Sequence, residues 1–308
     1  MSIARFLVAL FALWLSLLVA TCHGWREDYE FVLEWGTAGS DTGQFNRPYG
    51  MCVDKYDYIY VCDLNNQRIQ KFDSLGDFVM MFGSPGSSNG EFNAPLDIAV
   101  DDSNCIYVTD AFTDRIQKFD SLGNFLIVWG GSGSGPGQFA GLRGIALDSS
   151  GFVYASDYEN HRIQRFNGAG DFLAEWTSPD SIRWGPYSLT ASDMRVYVYT
   201  LIPPHNVQVF NTSGDFMLEW SDFGSAPAEN TGIYDLAADN SGNIFVTDDW
   251  NNRCQKYDRN GRFVAMWGSE GSGPGQFDAP IGIAVDSNRN VYVSDWGNNR
   301  VQKFRKAN

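Results

Sequence analysis

Pro280-Ile281-Gly282-Ile283-Ala284-Val285-Asp286, Asn290-Val291-Tyr292-Val293-Ser294-Asp295 and Asn299-Arg300-Val301-Gln302-Lys303-Phe304 are three short apolar runs, and the chain stops soon after them. Small residues dominate the first run, as a crowded interior requires. The second alternates apolar and polar side chains in the manner of a strand. A fourth run of the same kind, Arg262-Phe263-Val264-Ala265-Met266-Trp267-Gly268, precedes them, and Asn260-Gly261 marks a turn before it.

The same set recurs along the chain. Trp35, Phe82, Trp129, Trp176, Trp220 and Trp267 stand 47, 47, 47, 44 and 47 residues apart. Asp54, Asp101 and Asp148 keep the 47-residue spacing, as do Asp239 and Asp286. Two residue types in one register make chance an untenable explanation. Four short strands repeated every ~40–50 residues form the blades of a propeller. The last repeat stops one strand short. The missing strand stands at the other end, as Glu30-Phe31-Val32-Leu33-Glu34-Trp35-Gly36. The expectation is therefore an all-β, six-bladed β-propeller of four-stranded antiparallel blades, closed by the N-terminal strand pairing into the last blade. Such closure leaves no open edge between first and last blades.

Gly137-Gln138-Phe139, Pro280 to Asp286, Val293-Ser294-Asp295 and Asn299 to Phe304 resemble the NHL repeat. The resemblance runs over residues 30–304. It implies a six-bladed propeller with a central channel, and no particular activity, because the family includes binding modules and enzymes alike.

Composition limits the partners. The chain has 308 residues, with 22 Lys and Arg against 37 Asp and Glu, for a net charge of −15. Such a field repels polyanions, so nucleic acid is not an expected partner. Arg5 precedes the apolar run 6–20, and Cys22 and Gly24 sit at the −3 and −1 positions of a cut before Trp25. Residues 1–24 thus read as a secretory signal peptide and 25–308 as a single propeller domain. An uncleaved anchor, or a lipid on Cys22, is the alternative reading. The expected location is extracellular, or periplasmic or at the cell surface in a bacterium, and no membrane span is expected after leader removal. A monomer is expected. Cys52, Cys62, Cys105 and Cys254 then remain. Cys52 and Cys62 could bridge in an oxidising compartment, but each replaces a small residue of sibling repeats, which favours buried thiols. Asn211-Thr212-Ser213 is a glycosylation sequon.

Repetition separates scaffold from site. Asp63, Asp110, Asp157, Asp248 and Asp295 each precede an arginine by five residues, namely Arg68, Arg115, Arg162, Arg253 and Arg300. Identical repetition points to a loop-holding ion pair. Blade four lacks the device, with Thr200 and Val207 read in those places and Leu201-Ile202-Pro203-Pro204-His205 between them.

Residues that break the pattern are candidates for function. At the start of the first strand the six blades carry Gly50, Asp97, Gly144, Ser188, Asp235 and Gly282. One residue earlier they carry Tyr49, Leu96, Arg143, Tyr187, Tyr234 and Ile281. Asp97 and Asp235 belong to opposite blades. With Arg143, Tyr49, Tyr187 and Tyr234 they should gather at one channel mouth, where neighbouring loops add Tyr158, Trp250 and Trp296. A polar mouth rimmed with aromatic rings suits a sugar or a cationic peptide or amine. The structural alternative has Arg143 paired with an acid, tyrosines filling space, and only water within.

The resemblance also frames the enzymatic alternatives. Beyond the leader only His161 and His205 remain, so the three-histidine zinc site of amidating lyases of this family cannot form. Asp97 and Asp235 are weak metal candidates, because calcium takes ~6–8 oxygen ligands. No cofactor is expected, with calcium the one exception worth testing. The reading that results is a secreted binding module for a protein, peptide or glycan, with no catalytic residue assigned. Its alternative is a metal-assisted hydrolase or lyase with its site in the channel.

Overall fold

The computed structural model describes residues 27–178, 185–201, 205–220, 226, 229 and 232–307. The expected leader and Ile202 to Pro204 lie outside them. Six separate four-stranded antiparallel sheets account for the described strands. Five of them take their strands in chain order. The sixth adds Tyr29–Trp35 to the outer side of Arg300–Lys306, pairing Trp35 with Val301 and Tyr29 with Lys306. The closure expected from the sequence is present. Tyr29 stacks on Trp267 of blade five at 4.4 Å, and the Glu27 carboxylate bonds Lys256 and Lys306.

The core is divided. Six hydrophobic clusters lie between neighbouring blades, such as Tyr60, Ile69, Phe92, Ile98, Val108 and Phe119 between blades one and two. Second and third strands are buried almost throughout, while fourth strands alternate between covered and exposed positions. The period-setting aromatic ends the fourth strand and packs against a turn glycine of the next blade. The Trp129 ring lies where a Cβ on Gly170 (φ +85°) would stand, 2.8 Å away, so that turn excludes a side chain.

Each periodic aspartate caps its own turn. Asp101 accepts the N–H groups of Ser103 and Cys105 and the Tyr107 hydroxyl. The Asp–Arg device forms as expected: Arg162 Nε lies 2.7 Å from Asp157 Oδ2, and the other four pairs close at 2.8–3.1 Å. Asp157 Oδ1 also accepts the Ala140 N–H, and Arg162 donates to the carbonyls of Gly135 and Gln138. One ion pair thus fixes the linker to the preceding blade.

In blade four the register corrects the sequence alignment. Thr200 pairs with Asn206, not Val207, because the loop there is one residue longer. A neutral contact replaces the ion pair: the Thr200 hydroxyl donates to Asn206 Oδ1 at 2.6 Å, and Asn206 Nδ2 donates to Glu219. The four described cysteines are free, with Cys62 and Cys254 buried. No Cys52–Cys62 bridge forms.

Asp157→Ala should cost ~3–5 kcal/mol in denaturant unfolding, because it strands a buried guanidinium. Thr200→Ala, acting on the neutral pair, should cost about 1 kcal/mol.

Candidate functional site

The channel is built by the first strands Pro48–Val53, Pro95–Val100, Leu142–Leu147, Pro186–Ser192, Ile233–Ala238 and Pro280–Val285. Each carries a register shift against its second strand at the same place, for example between Pro95 and Ile98. A bulge turns backbone amides out of the ladder and toward the channel or the next blade. Those amides need acceptors.

A hydroxyl on the second strand supplies one. Gly144 N–H donates to Ser156 Oγ at 2.8 Å, and that hydroxyl donates to the Tyr187 carbonyl of blade four at 2.8 Å. Thr109, Thr247 and Ser294 repeat the relay into blades three, six and one. Close approach demands glycine here: a Cβ on Gly50 would overlap the backbone of Leu96 and Asp97. Two blades lack the hydroxyl, carrying Cys62 and Tyr199 instead.

Asp97 and Asp235 stand at the bulges of the blades that follow those two. Asp97 Oδ1 accepts its neighbour Ile98 N–H, and Oδ2 accepts Ile145 N–H of blade three at 2.8 Å. Asp235 accepts Leu236 N–H, Ile283 N–H of blade six and the Ser188 hydroxyl of blade four. Both carboxylates therefore tie blades together. Burial, then the charge of Asp235, pushes the Asp97 carboxyl well above its ordinary value. Burial raises Asp235 to about 6, against hydrogen bonds from Ser188, Ile283 and Leu236 that favour the charge.

Over this pair the channel is closed by aromatic side chains. Tyr49 and Tyr187 share a hydroxyl hydrogen bond of 3.0 Å across the opening. Tyr234 meets both rings edge-on, at 6.0 and 5.4 Å. The Arg143 guanidinium lies over Tyr187 at 5.3 Å and Tyr158 at 5.8 Å. Tyr49, Asp97, Arg143, Tyr187, Tyr234 and Asp235 surround about 20 Å³, room for a water rather than a sugar. Arg143 makes no ion pair among the described residues, and its buried Nε has no partner.

Trp250 and Trp296 stand apart from this cluster. Trp250 is 75% exposed, and Trp296 is half-buried with Arg47 4.4 Å above its ring. Asn211 lies at the far end of its strand from this face, where its Oδ1 caps Ser213 and Asp215. Beneath the carboxylates the channel continues as about 200 Å³ lined by residues such as Met51, Cys52, Ala99, Ala146 and Ala237. No group of three or more His, Cys, Asp or Glu among the described residues is placed to hold a metal ion.

A larger space lies outside the plug. Tyr49, Leu64, Asn93, Leu96, Phe112 and Arg143 line a groove of about 630 Å³ across blades one to three. Of its lining, pattern breaks mark only Tyr49 and Arg143 as ligand-binding candidates. Phe112, exposed to 79%, also lines the groove.

The comparisons with known proteins agree with the fold. An NHL repeat model matches residues 139–166 and 277–304, and a 6-bladed beta-propeller model matches 41–120. Protein wech of Drosophila melanogaster is 39% identical over 51 residues, 17% of this chain and 6% of that protein. Protein lin-41 of Caenorhabditis elegans is 41% identical over 46 residues, 15% of this chain and 4% of its own length. The chain thus spans only a small part of the curated relatives it matches. Among solved structures, a streptogramin B lyase aligns with TM-score 0.63 at 16% identity, covering 92% of this chain and 98% of that one. A Bacteroides thetaiotaomicron protein of unknown function gives 0.68 at 14%, over 91% and 76%. At such identities these structures share the fold alone.

The carboxyl pair makes a pH prediction. A carboxyl raised by folding contributes stability that is full below its ordinary value near ~3.9 and lost as pH rises through the folded value. Unfolding free energy should therefore fall by on the order of 1–3 kcal/mol between about pH 4 and 7. Asp235→Asn should flatten that slope, whatever its effect on baseline stability. With its repeats, closure and channel in place, the chain carries NHL repeats, matched at residues 139–166 and 277–304, and folds as a six-bladed β-propeller.

Proposed function

We propose that the chain is a secreted, monomeric binding module that holds a peptide or protein segment on the face carrying Phe112 and Arg143. The observation that carries this reading is the open groove beside a closed channel. Its volume, about 630 Å³, lies within the ~300–1,000 Å³ of ligand sites, whereas the plugged layer leaves about 20 Å³. Apolar side chains line it, Asn65, Gln67 and Asn93 offer amides, and Arg143 brings a guanidinium with no ion pair among the described residues. The leader expected at residues 1–24 supports secretion, and Asn211 is the proposed glycan attachment point.

A second reading, a metal-assisted hydrolase or lyase using Asp97 and Asp235, draws on two buried carboxyls raised above their ordinary values. The streptogramin B lyase that shares the fold is consistent with it through fold alone. Against it stands the work each carboxylate already does for backbone amides.

A peptide and glycan array should return peptide ligands whose affinity drops about 10-fold or more in Phe112→Ala and Arg143→Ala. Binding untouched by both changes would remove the groove from consideration. Metal analysis of the purified protein separates the second reading. Stoichiometric calcium or zinc, lost in Asp97→Ala/Asp235→Ala, would favour the enzyme.

A further inference from the structure

One fourth-strand position is the same in three blades and broken in the other three. Opposite the buried glutamines Gln302, Gln164 and Gln208 stand Glu34, Glu175 and Glu219. Glu34 accepts Arg300 Nη1 at 2.7 Å, Glu175 accepts Arg162 Nη1 at 2.6 Å, and Glu219 accepts the Asn206 amide at 2.8 Å. In blades one, five and two the same register place holds Met81 opposite Gln70, Met266 opposite Gln255 and Val128 opposite Gln117. Valine has no acceptor to offer. The methionines do: Arg68 Nη1 lies 3.5 Å from Met81 Sδ, and Arg253 Nη1 lies 3.7 Å from Met266 Sδ. A thioether accepts only weakly, so these two guanidinium groups face sulfur where their siblings face a carboxylate.

Arg68 fastens the joint on which ring closure depends. Its Nη groups donate to the carbonyls of Ser40, Asp41 and Gln44, in the segment leading from the closing strand Tyr29–Trp35 into blade one. Its Nε pairs with Asp63. The arginine side chain is nearly buried, whereas Met81 is 46% exposed and Met266 36%. Each methionine therefore stands between solvent and a buried cation.

We propose that Met81 is a modification site at which a peroxide forms the sulfoxide, with Met266 its counterpart in blade five, and that the modification tightens the fold. The peroxide passes one oxygen atom to a sulfur lone pair, its O–O bond breaks, and hydrogen peroxide leaves as water. Sulfur is oxidised, the peroxide is reduced, and the protein gains or loses no proton. A sulfoxide within an apolar core disrupts packing. At this position the new oxygen meets a guanidinium N–H, and a hydrogen bond to a charged donor is stronger than the thioether contact it replaces. Oxidation thus gives blades one and five the oxygen acceptor that Glu34 and Glu175 give blades six and three.

The test uses the full chain carrying Met80→Leu, Met194→Leu, Met217→Leu and Met266→Leu, with graded hydrogen peroxide. Peptide mapping by mass spectrometry should show Met81 gaining one oxygen while Met51, buried in the channel wall, stays reduced. On that conversion the unfolding constant in denaturant should drop about 5-fold or more. Hydrogen exchange of the amides in residues 36–47 should slow, and methionine sulfoxide reductase should reverse both changes. Met81→Gln, which places a neutral oxygen acceptor on a side chain of similar length, should reproduce the gain without peroxide. With Met81→Leu added, peroxide should change neither measurement. If the fourfold change unsettles the fold, the native chain and its single Met81→Leu variant, oxidised side by side, give the same comparison. A rise in the unfolding constant on oxidation overturns the proposal, as does an unchanged constant once Met81 is fully converted. So does Met81 left reduced when the exposed Met194 of the native chain is fully converted.

Discussion

A hydroxyl relay between first strands holds the ring. Bulging each first strand frees an amide that the sheet no longer satisfies, and a Ser or Thr one strand out accepts it while donating to the neighbouring blade. Four of the six blades use this device. Where Cys62 and Tyr199 interrupt it, Asp97 and Asp235 appear in the next blades, and each accepts one amide of its own blade and one of the blade after. The substitutions fall three blades apart, so the ring carries a second, coarser repeat of three blades within its repeat of one.

In the linear sequence Asp97 and Asp235 are pattern breaks in opposite blades and look like a site. In space they are acceptors for amides that have no other partner, and the cost is a pair of carboxyls whose ionisation is suppressed by burial. The tyrosine layer above them shares this structural character: Tyr49, Tyr187 and Tyr234 bond and pack with one another across the opening. The open groove lies farther out, along the loops that follow the second strands of blades one and two.

Much of the architecture was legible because the chain says everything six times. The period of Trp35 to Trp267, the Asp–Arg spacing and the displaced strand read at residues 30–36 each indicate one feature of the fold. The gathering of Asp97, Arg143 and the three tyrosines was legible for the same reason. Their role was not, since it depends on a bulge that leaves no mark in residue types. Blade four misled the alignment because one extra loop residue shifts Asn206 into the arginine place. The groove was invisible for the opposite reason: Leu64, Asn93 and Ala111 break no rule, and only their convergence makes a surface.

Fastening the circle with its first strand has a cost in time. Glu30 and Arg305 are ion-paired across 275 residues, so during synthesis Tyr29–Trp35 has no partner until Arg300–Lys306 leaves the ribosome. Closing so long a loop adds little entropy cost over a shorter one, since that cost grows only with the logarithm of length. The delay matters more. Throughout it, a lone ribbon bearing Phe31, Leu33 and Trp35 stays available to any sticky edge nearby, including that of another nascent copy.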